Sequence, residues 1–277
     1  MTATQLALLA LLLPLACAAE PAFVLVRDGA SDVTIRATGD TDIEHLAAAE
    51  LARYIATATG AQLPVTERAS QREIVLRAGT GDGVDTSYSI DVSPLRVHIS
   101  SSCPIGALYG AYDFLQTYLG CRWYAGADIG ESIPSLSDVS IPTGTRAEAP
   151  DFAFRTFFLR REEEMWWALR NRLNGFFTPE FVASLGSGTR KSLLYLGSGQ
   201  GGIHAWHSIV PAERHYDEHP EYFALVEGKR VRSSLTTGQL CTTNPEVIDL
   251  VARTAREYFL ADPEARVFSI APNDGYG

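Results

Sequence analysis

The chain has 277 residues, 46% of them apolar and 20% charged, and its 23 basic against 33 acidic residues leave a formal charge of −10. At roughly 100–200 residues per domain this length holds two domains, and the composition excludes collagen-like, coiled-coil and disordered chains. With no Lys/Arg stripe to neutralise a phosphate backbone, the sequence argues against nucleic acid or an anionic membrane surface as partner.

Leu6 to Leu15 form an apolar run of ten, whereas a helix needs about 20 such residues to span a bilayer, so no transmembrane segment is expected. The run leads into Ala16-Cys17-Ala18, an A-x-A-like site, and the pair reads as a secretory signal peptide over residues 1–18 with the mature chain starting at Ala19. The expected location is secreted, periplasmic or at the cell surface. Cys17 leaves a lipoprotein reading open, against which Pro14 stands. Cys103 and Cys121 flank a predicted helix of 16 residues, about 24 Å long, and a disulfide spans only about 7 Å between Cα atoms. Cys241 either bridges one of them or all three are small buried hydrophobes.

Strands are expected at 23–26 and 34–37, divided by Asp28-Gly29. A helix follows: Thr41-x-x-Glu44 is a capping box, Ile43, Ala47, Leu51, Tyr54 and Ala58 form a stripe, and Gly60 stands at the stop. Further strands are expected at 73–77, 87–92 and 95–100, the last two alternating cleanly, with His98 facing outward beside Arg96 and Ser100. A second helix starts after Ser102 with Pro104 in its first turn and stops at Gly120. These elements predict an α+β domain over 19–145, a mostly antiparallel sheet with helices on one face, ending in the Pro/Ser-rich stretch 130–150.

From residue 150 to 277 strands and helices alternate: strand 152–159, helix 162–172, strand 175–177, helix 179–185, strand 193–196, helix 245–260 and strand 267–271. Thr243-x-x-Glu246 reads as a capping box for the last helix, while Trp166 and Trp167 read as helix packing. Alternation of this kind predicts βα units and a parallel sheet, the first half of a (β/α)8 TIM-type barrel. A complete barrel takes about 250 residues, so the sequence reads as the truncated front portion of a longer protein.

Gly197-x-Gly199-x-x-Gly202 has the spacing of a dinucleotide fingerprint, but the following residues reach Pro211 without a clear helix, and a loop is the better reading. His215 and His219 have the i,i+4 spacing of a zinc pair, yet Pro220 follows and no Cys or HExxH accompanies them, so no metal site is assigned. Asn273-Asp274-Gly275 ends the final strand, where a barrel keeps its chemistry, although Asp-Gly is also an ordinary turn.

Ala107-x-x-Gly110-x-x-x-Phe114-Leu115, Leu119-Gly120-Cys121-Arg122-Trp123-Tyr124, His219-Pro220-Glu221-Tyr222-Phe223-Ala224-Leu225, Gly228-Lys229-Arg230, Gln239-Leu240-Cys241, Asn244-Pro245-Glu246 and Ser269-Ile270-Ala271-Pro272-Asn273-Asp274-Gly275 together resemble one family. It is the glycoside-hydrolase-like group described as domain of unknown function 4838. Its amino-terminal module is similar to the small α+β domain of β-hexosaminidases and α-glucuronidases. More distantly, Pro150-x-Phe152-x-x-Arg155 resembles the first barrel strand of family 20 hexosaminidases, whose Arg binds sugar hydroxyls, and Arg172-Leu173-Asn174-x-Phe176 resembles their second. Their fourth strand ends in an Asp-Glu pair, the Glu being the general acid; here Asn273-Asp274 occupies that place without the Glu.

The resemblance implies a carbohydrate partner and no cofactor. It makes Asp274 the candidate catalytic residue, as general acid, as orienting carboxylate or only as a binding group, and Arg155, Asn174 and Asn273 candidate substrate-binding residues; His204 joins them by its expected place beyond a strand end, and Trp206 and Tyr276 as rings to stack on a sugar. The leading expectation is an exported glycoside hydrolase acting on glycans or polysaccharides, with N-acetylhexosamine linkages in view. The alternatives are a non-catalytic carbohydrate-binding surface protein and a metal-dependent hydrolase.

Overall fold

Val97 and Ile99 are fully buried while Arg96, His98 and Ser100 around them are not. That period of two gives β5 (Arg96–Ser101) one covered face. In the computed structural model, which describes residues 22–81, 85–157, 159, 161–175, 177–186, 204–263, 265 and 267–275, this strand is central to a five-stranded sheet. The order is β2 (Thr34–Ala37), β3 (Glu73–Ala78), β5, β4 (Tyr88–Val92), β9 (Gly144–Glu148).

β2, β3 and β5 run parallel, with Ile35 opposite Ile74 and Ile74 opposite Val97. β4 is antiparallel to both β5 and β9. The sheet is therefore mixed rather than mostly antiparallel. Alternation reports which face is buried and is the same for either strand direction; the direction comes from the connections, and the helix between β2 and β3 carries the chain back for a parallel return. Outside this sheet β1 (Ala22–Val26) pairs with β8 (Val139–Pro142), and β6 (Arg122–Trp123) with β7 (Glu131–Ser132). The stretch after Gly130 thus supplies three strands. Its last one, Gly-Thr-Arg-Ala-Glu, has no large apolar residue and so no alternation to announce it.

In α1 (Asp42–Thr59) the Thr41 hydroxyl accepts from the Glu44 N–H at 3.4 Å and donates to Glu44 Oε2 at 2.7 Å, while Gly60 closes the helix in the left-handed region. Glu44 is buried, and its second oxygen accepts from the Ala78 N–H at 2.9 Å, so the capping residue also secures the end of β3. α2 (Pro104–Phe114) continues through a π-helical turn, Leu115–Leu119, to Gly120, the expected stop. A Cβ on Gly110 would stand 2.6 Å from Ile99 Cγ2, so only glycine lets α2 lie this close to β5. α1 packs beside α2 and against β2 and β3, which puts both helices on the expected single face.

The second half forms α3 (Glu162–Arg170), α4 (Pro179–Ser184), α5 (Trp206–Ile209), α6 (Ala212–His215), the hairpin β10 (Leu225–Val226) to β11 (Lys229–Arg230), and α7 (Pro245–Ala261). Residues 159–185 join the core of the first module through Met165, Ala168, Leu169, Phe177 and Phe181. Trp166 packs edge-on against Phe181 at 5.4 Å and Trp167 against Phe157 at 6.0 Å, the packing role expected of them. Ala205, Val210, Phe223, Leu240 and Val247 form a separate cluster.

Among the described residues the expected barrel strands at 152–159, 175–177 and 267–271 do not form, and the expected strand at 193–196 and Gly197-x-Gly199-x-x-Gly202 lie outside them. The described residues give a mixed sheet with helices and do not by themselves form a half barrel. Barrel strands are held by neighbours on both edges. Here the Asn174 N–H bonds Arg155 O at 2.8 Å, and the Ala205 N–H bonds Ala271 O at 3.0 Å, and neither continues into a ladder among the described residues. The cap of α7 is Asn244, whose Oδ1 accepts from the Glu246 N–H at 2.9 Å, one residue later than the expected Thr243. Cys103, Cys121 and Cys241 are all free thiols, the first two buried. Leu6–Leu15 and the expected cleavage site lie outside the described residues, among which no helix is long and apolar enough to cross a membrane.

Candidate functional site

Four of the six candidate residues meet where residues 204–207 lie against 270–274. His204, in a left-handed conformation, places Nδ1 3.2 Å from Pro272 O. Trp206 Nε1 donates to Ile270 O at 2.7 Å. Asn273 is only 4% exposed and fully engaged: its Oδ1 accepts from the His207 N–H at 2.9 Å and its Nδ2 donates to Gly238 O at 3.0 Å. The next residue, Asp274, is exposed, with its backbone N–H on Leu235 O at 3.2 Å and its Oδ1 accepting from the Gly275 N–H at 3.1 Å. Gly275 has φ 89°, and a Cβ there would lie 2.4 Å from Thr236 O, so the turn after Asp274 requires glycine. Asn273 thus anchors the segment, and Asp274 is presented to solvent on the side held by Leu235.

Gln239 was not among the candidates, yet it holds the segment. Its Nε2 donates to Asn273 O at 2.7 Å and to Gly275 O at 3.1 Å, and its Oε1 accepts from the Asn273 N–H at 3.1 Å. The only signal for it in the sequence is its place in Gln239-Leu240-Cys241. His207, also unassigned, carries a buried Nδ1 with no hydrogen-bond partner.

Arg155 and Asn174 form a second, separate pair. The Arg155 N–H donates to Asn174 Oδ1 at 2.8 Å, and Asn174 Nδ2 donates to Ala153 O at 2.8 Å. Asn174 is fully buried, its amide clamping two chain segments. The Arg155 guanidinium donates to Arg172 O at 2.9 Å, Phe152 O at 2.7 Å and Thr86 Oγ1 at 3.0 Å, beside a cavity of about 240 Å3 lined also by Tyr109, Glu148 and Asp151. The structure brings these two residues together at the junction of 153–174 with the first module. Their hydrogen bonds do not join the 270–274 group. Tyr276 lies outside the described residues.

His215 and His219 do not form a helical pair. α6 ends at His215, and His219 stacks on Tyr222 with ring centroids 4.6 Å apart, while His215 lies 6.0 Å from the same ring.

Among solved structures the fold is similar to that of a family GH115 4-O-methyl-α-glucuronidase with specificity for decorated arabinogalactans, at TM-score 0.53 and 11% identity over 88% of this chain and 41% of that one. The chain is also similar to Streptomyces plicatus N-acetyl-β-hexosaminidase, with TM-score 0.48, 17% identity, and 88% and 55% coverage. A third similar structure is Flavobacterium johnsoniae chitobiase, with TM-score 0.46, 16% identity, and 88% and 41% coverage. The chain therefore spans about half the length, or less, of these proteins. No curated protein matches it in sequence. The family model described as domain of unknown function 4838 matches residues 125–277, more than half of the chain, and the chain belongs to that family.

Proposed function

We propose that the protein is an exported glycoside hydrolase acting on glycans or polysaccharides, with N-acetylhexosamine linkages the first to examine, and that the sugar binds where residues 204–207 meet 270–274. The observation that carries this reading is the docking of His204, Trp206 and His207 onto the segment 270–273, whose buried Asn273 holds the exposed Asp274 next in the chain. Cleaving a glycosidic bond needs a proton for the leaving oxygen and negative charge, or a substrate acetamide, near the developing oxocarbenium ion. Asp274 supplies an exposed carboxylate, Trp206 an aromatic surface for the sugar's apolar face, and His204 a polar edge. The fold shared with a glucuronidase supports the setting.

A second reading has its own support. His204, Trp206, Asn273 and Asp274 carry one carboxylate between them, whereas most glycosidases use two, and a site with one fits a protein that binds glycans without cleaving them. Incubation with 4-nitrophenyl glycosides and polysaccharides separates the two. Hydrolysis by the wild type that falls in Trp206→Ala supports the enzyme, while Trp206-dependent binding without product supports the binder. Neither binding nor hydrolysis would overturn both. Export rests on residues 1–18, and a native amino terminus at Met1 or Thr2 in the cytosol would overturn it.

A further inference from the structure

We propose that His219, Glu221 and Glu246 form a site for a divalent ion of the zinc class. It would brace the turn at 219–222 against the first turn of α7. The ligand atoms of these three side chains lie within 4.8 Å of one another, and they come from two separate elements. His219 Nδ1 is already hydrogen-bonded to Glu221 Oε1 at 3.0 Å, a little closer than the roughly 3.4 Å between two ligands on a tetrahedral zinc ion. Glu246 stands exposed in the first turn of α7.

The surroundings orient these groups as second neighbours of a metal do. The Tyr222 hydroxyl donates to Glu246 Oε2 at 2.7 Å, and the Tyr222 ring stacks on the His219 imidazole with planes 8° apart, so one residue positions two of the three ligands. Asn244, the cap of α7, donates through Nδ2 to Glu221 O at 3.3 Å, tying the turn to the helix. One imidazole with two carboxylates suits a borderline ion such as zinc better than calcium or magnesium, which favour all-oxygen cages. The Cys241 N–H bonds Tyr222 O and the Ala224 N–H bonds Gln239 O, each at 2.8 Å, so an ion here would stiffen the short ladder from which Gln239 holds Asn273. This inference does not depend on what the 270–274 segment binds.

The test is calorimetry with zinc chloride alone on the wild type, His219→Ala, Glu246→Gln and Cys241→Ser. The expected result is one zinc ion per chain, bound at least about tenfold more weakly in the first two variants and unchanged in the third. Hydrogen exchange on the wild type gives a reading that needs no variant: zinc should slow exchange at 219–224 and 244–249. Equal affinity in all four proteins, loss only in Cys241→Ser, protection confined to other regions, or equally tight binding of calcium would each overturn the site.

Discussion

Gln239 and Asn273 are joined by two opposed hydrogen bonds, side-chain Nε2 to backbone O at 2.7 Å and backbone N–H to side-chain Oε1 at 3.1 Å. A carboxamide here does what a neighbouring strand would do for residue 273, filling both of its backbone groups. Gln239→Ala leaves a buried N–H and C=O unmatched, at a cost of about 1–3 kcal/mol for each. We expect faster amide exchange at 273–275 and weaker glycan binding, with the melting of the five-stranded module unchanged. Unaltered exchange at Asn273 would show that the clamp does not hold the segment.

Arg170 joins α3 to the first module. Its NH1 donates to Glu131 Oε1 at 2.8 Å, and its Nε lies 3.7 Å from Glu50 Oε2. The Tyr54 hydroxyl donates to Glu131 at 2.7 Å and the Tyr112 hydroxyl to Glu50 at 2.8 Å. Arg170→Met leaves the largely buried Glu131 without its cation and Glu50 with Arg53 alone, and should cost about 3 kcal/mol in urea unfolding. Arg53→Ala, which removes a 45% exposed partner of Glu50, should cost under about 1 kcal/mol. Similar losses for the two would show that burial does not set the strength of this network.

The Arg36 guanidinium, bonded to the buried Glu73 at 2.8 Å, holds that carboxyl below its ordinary range, and Arg96 adds to the effect. A carboxyl depressed in the folded state adds stability that is complete above its unfolded value, about 4.3, and is lost as the pH falls through its folded value. Glu73→Gln should therefore lower stability at pH 7 and flatten its dependence on pH below about 4.3. A wild-type slope surviving in the variant would assign acid sensitivity to other carboxylates.

Burial pushes the Cys121 thiol up to about 11, whereas the half-buried Cys241 is lowered by a hydrogen bond with Thr243. Of Cys103, Cys121 and Cys241, only Cys241 should react quickly with iodoacetamide at pH 8, since the thiolate is the nucleophile. Mass mapping of the adduct checks this, and rapid labelling of Cys121 would contradict the packing around α2.

How much of this could be read in the sequence depended on whether the signal was local. Thr41, Glu44 and Gly60 mark both ends of α1 because caps act within one turn, and Tyr88, Ile90 and Val92 mark β4 because a half-buried strand alternates. The parallel pairing of β2 with β3 leaves no trace in alternation; its signal is the strand–helix–strand order, which the clean alternation of β4 and β5 outweighed. β9 was missed because its residues are mostly exposed. At the site, Asn273 and Asp274 stood out as a pair, but their division of labour, one buried as an anchor and the other exposed, depends on Gln239 and Gly238 more than thirty positions earlier in the chain. Thr243 and Asn244 are both cap-forming residues, and spacing alone does not choose between them.

The central claim is that glycan chemistry resides at Asp274. It is tested most directly by measuring kcat and Tm together for the wild type and Asp274→Asn, on protein isolated from its natural host and a glycoside that it cleaves. The substitution keeps the side chain's shape and removes its ionisable group. We expect a fall in kcat of about 10²–10⁴ with Tm unchanged, since Asp274 is exposed and the anchoring bonds belong to Asn273. A variant with near-normal kcat, or one whose loss of activity is matched by a lowered Tm, would contradict it and return Asp274 to the role of a turn residue.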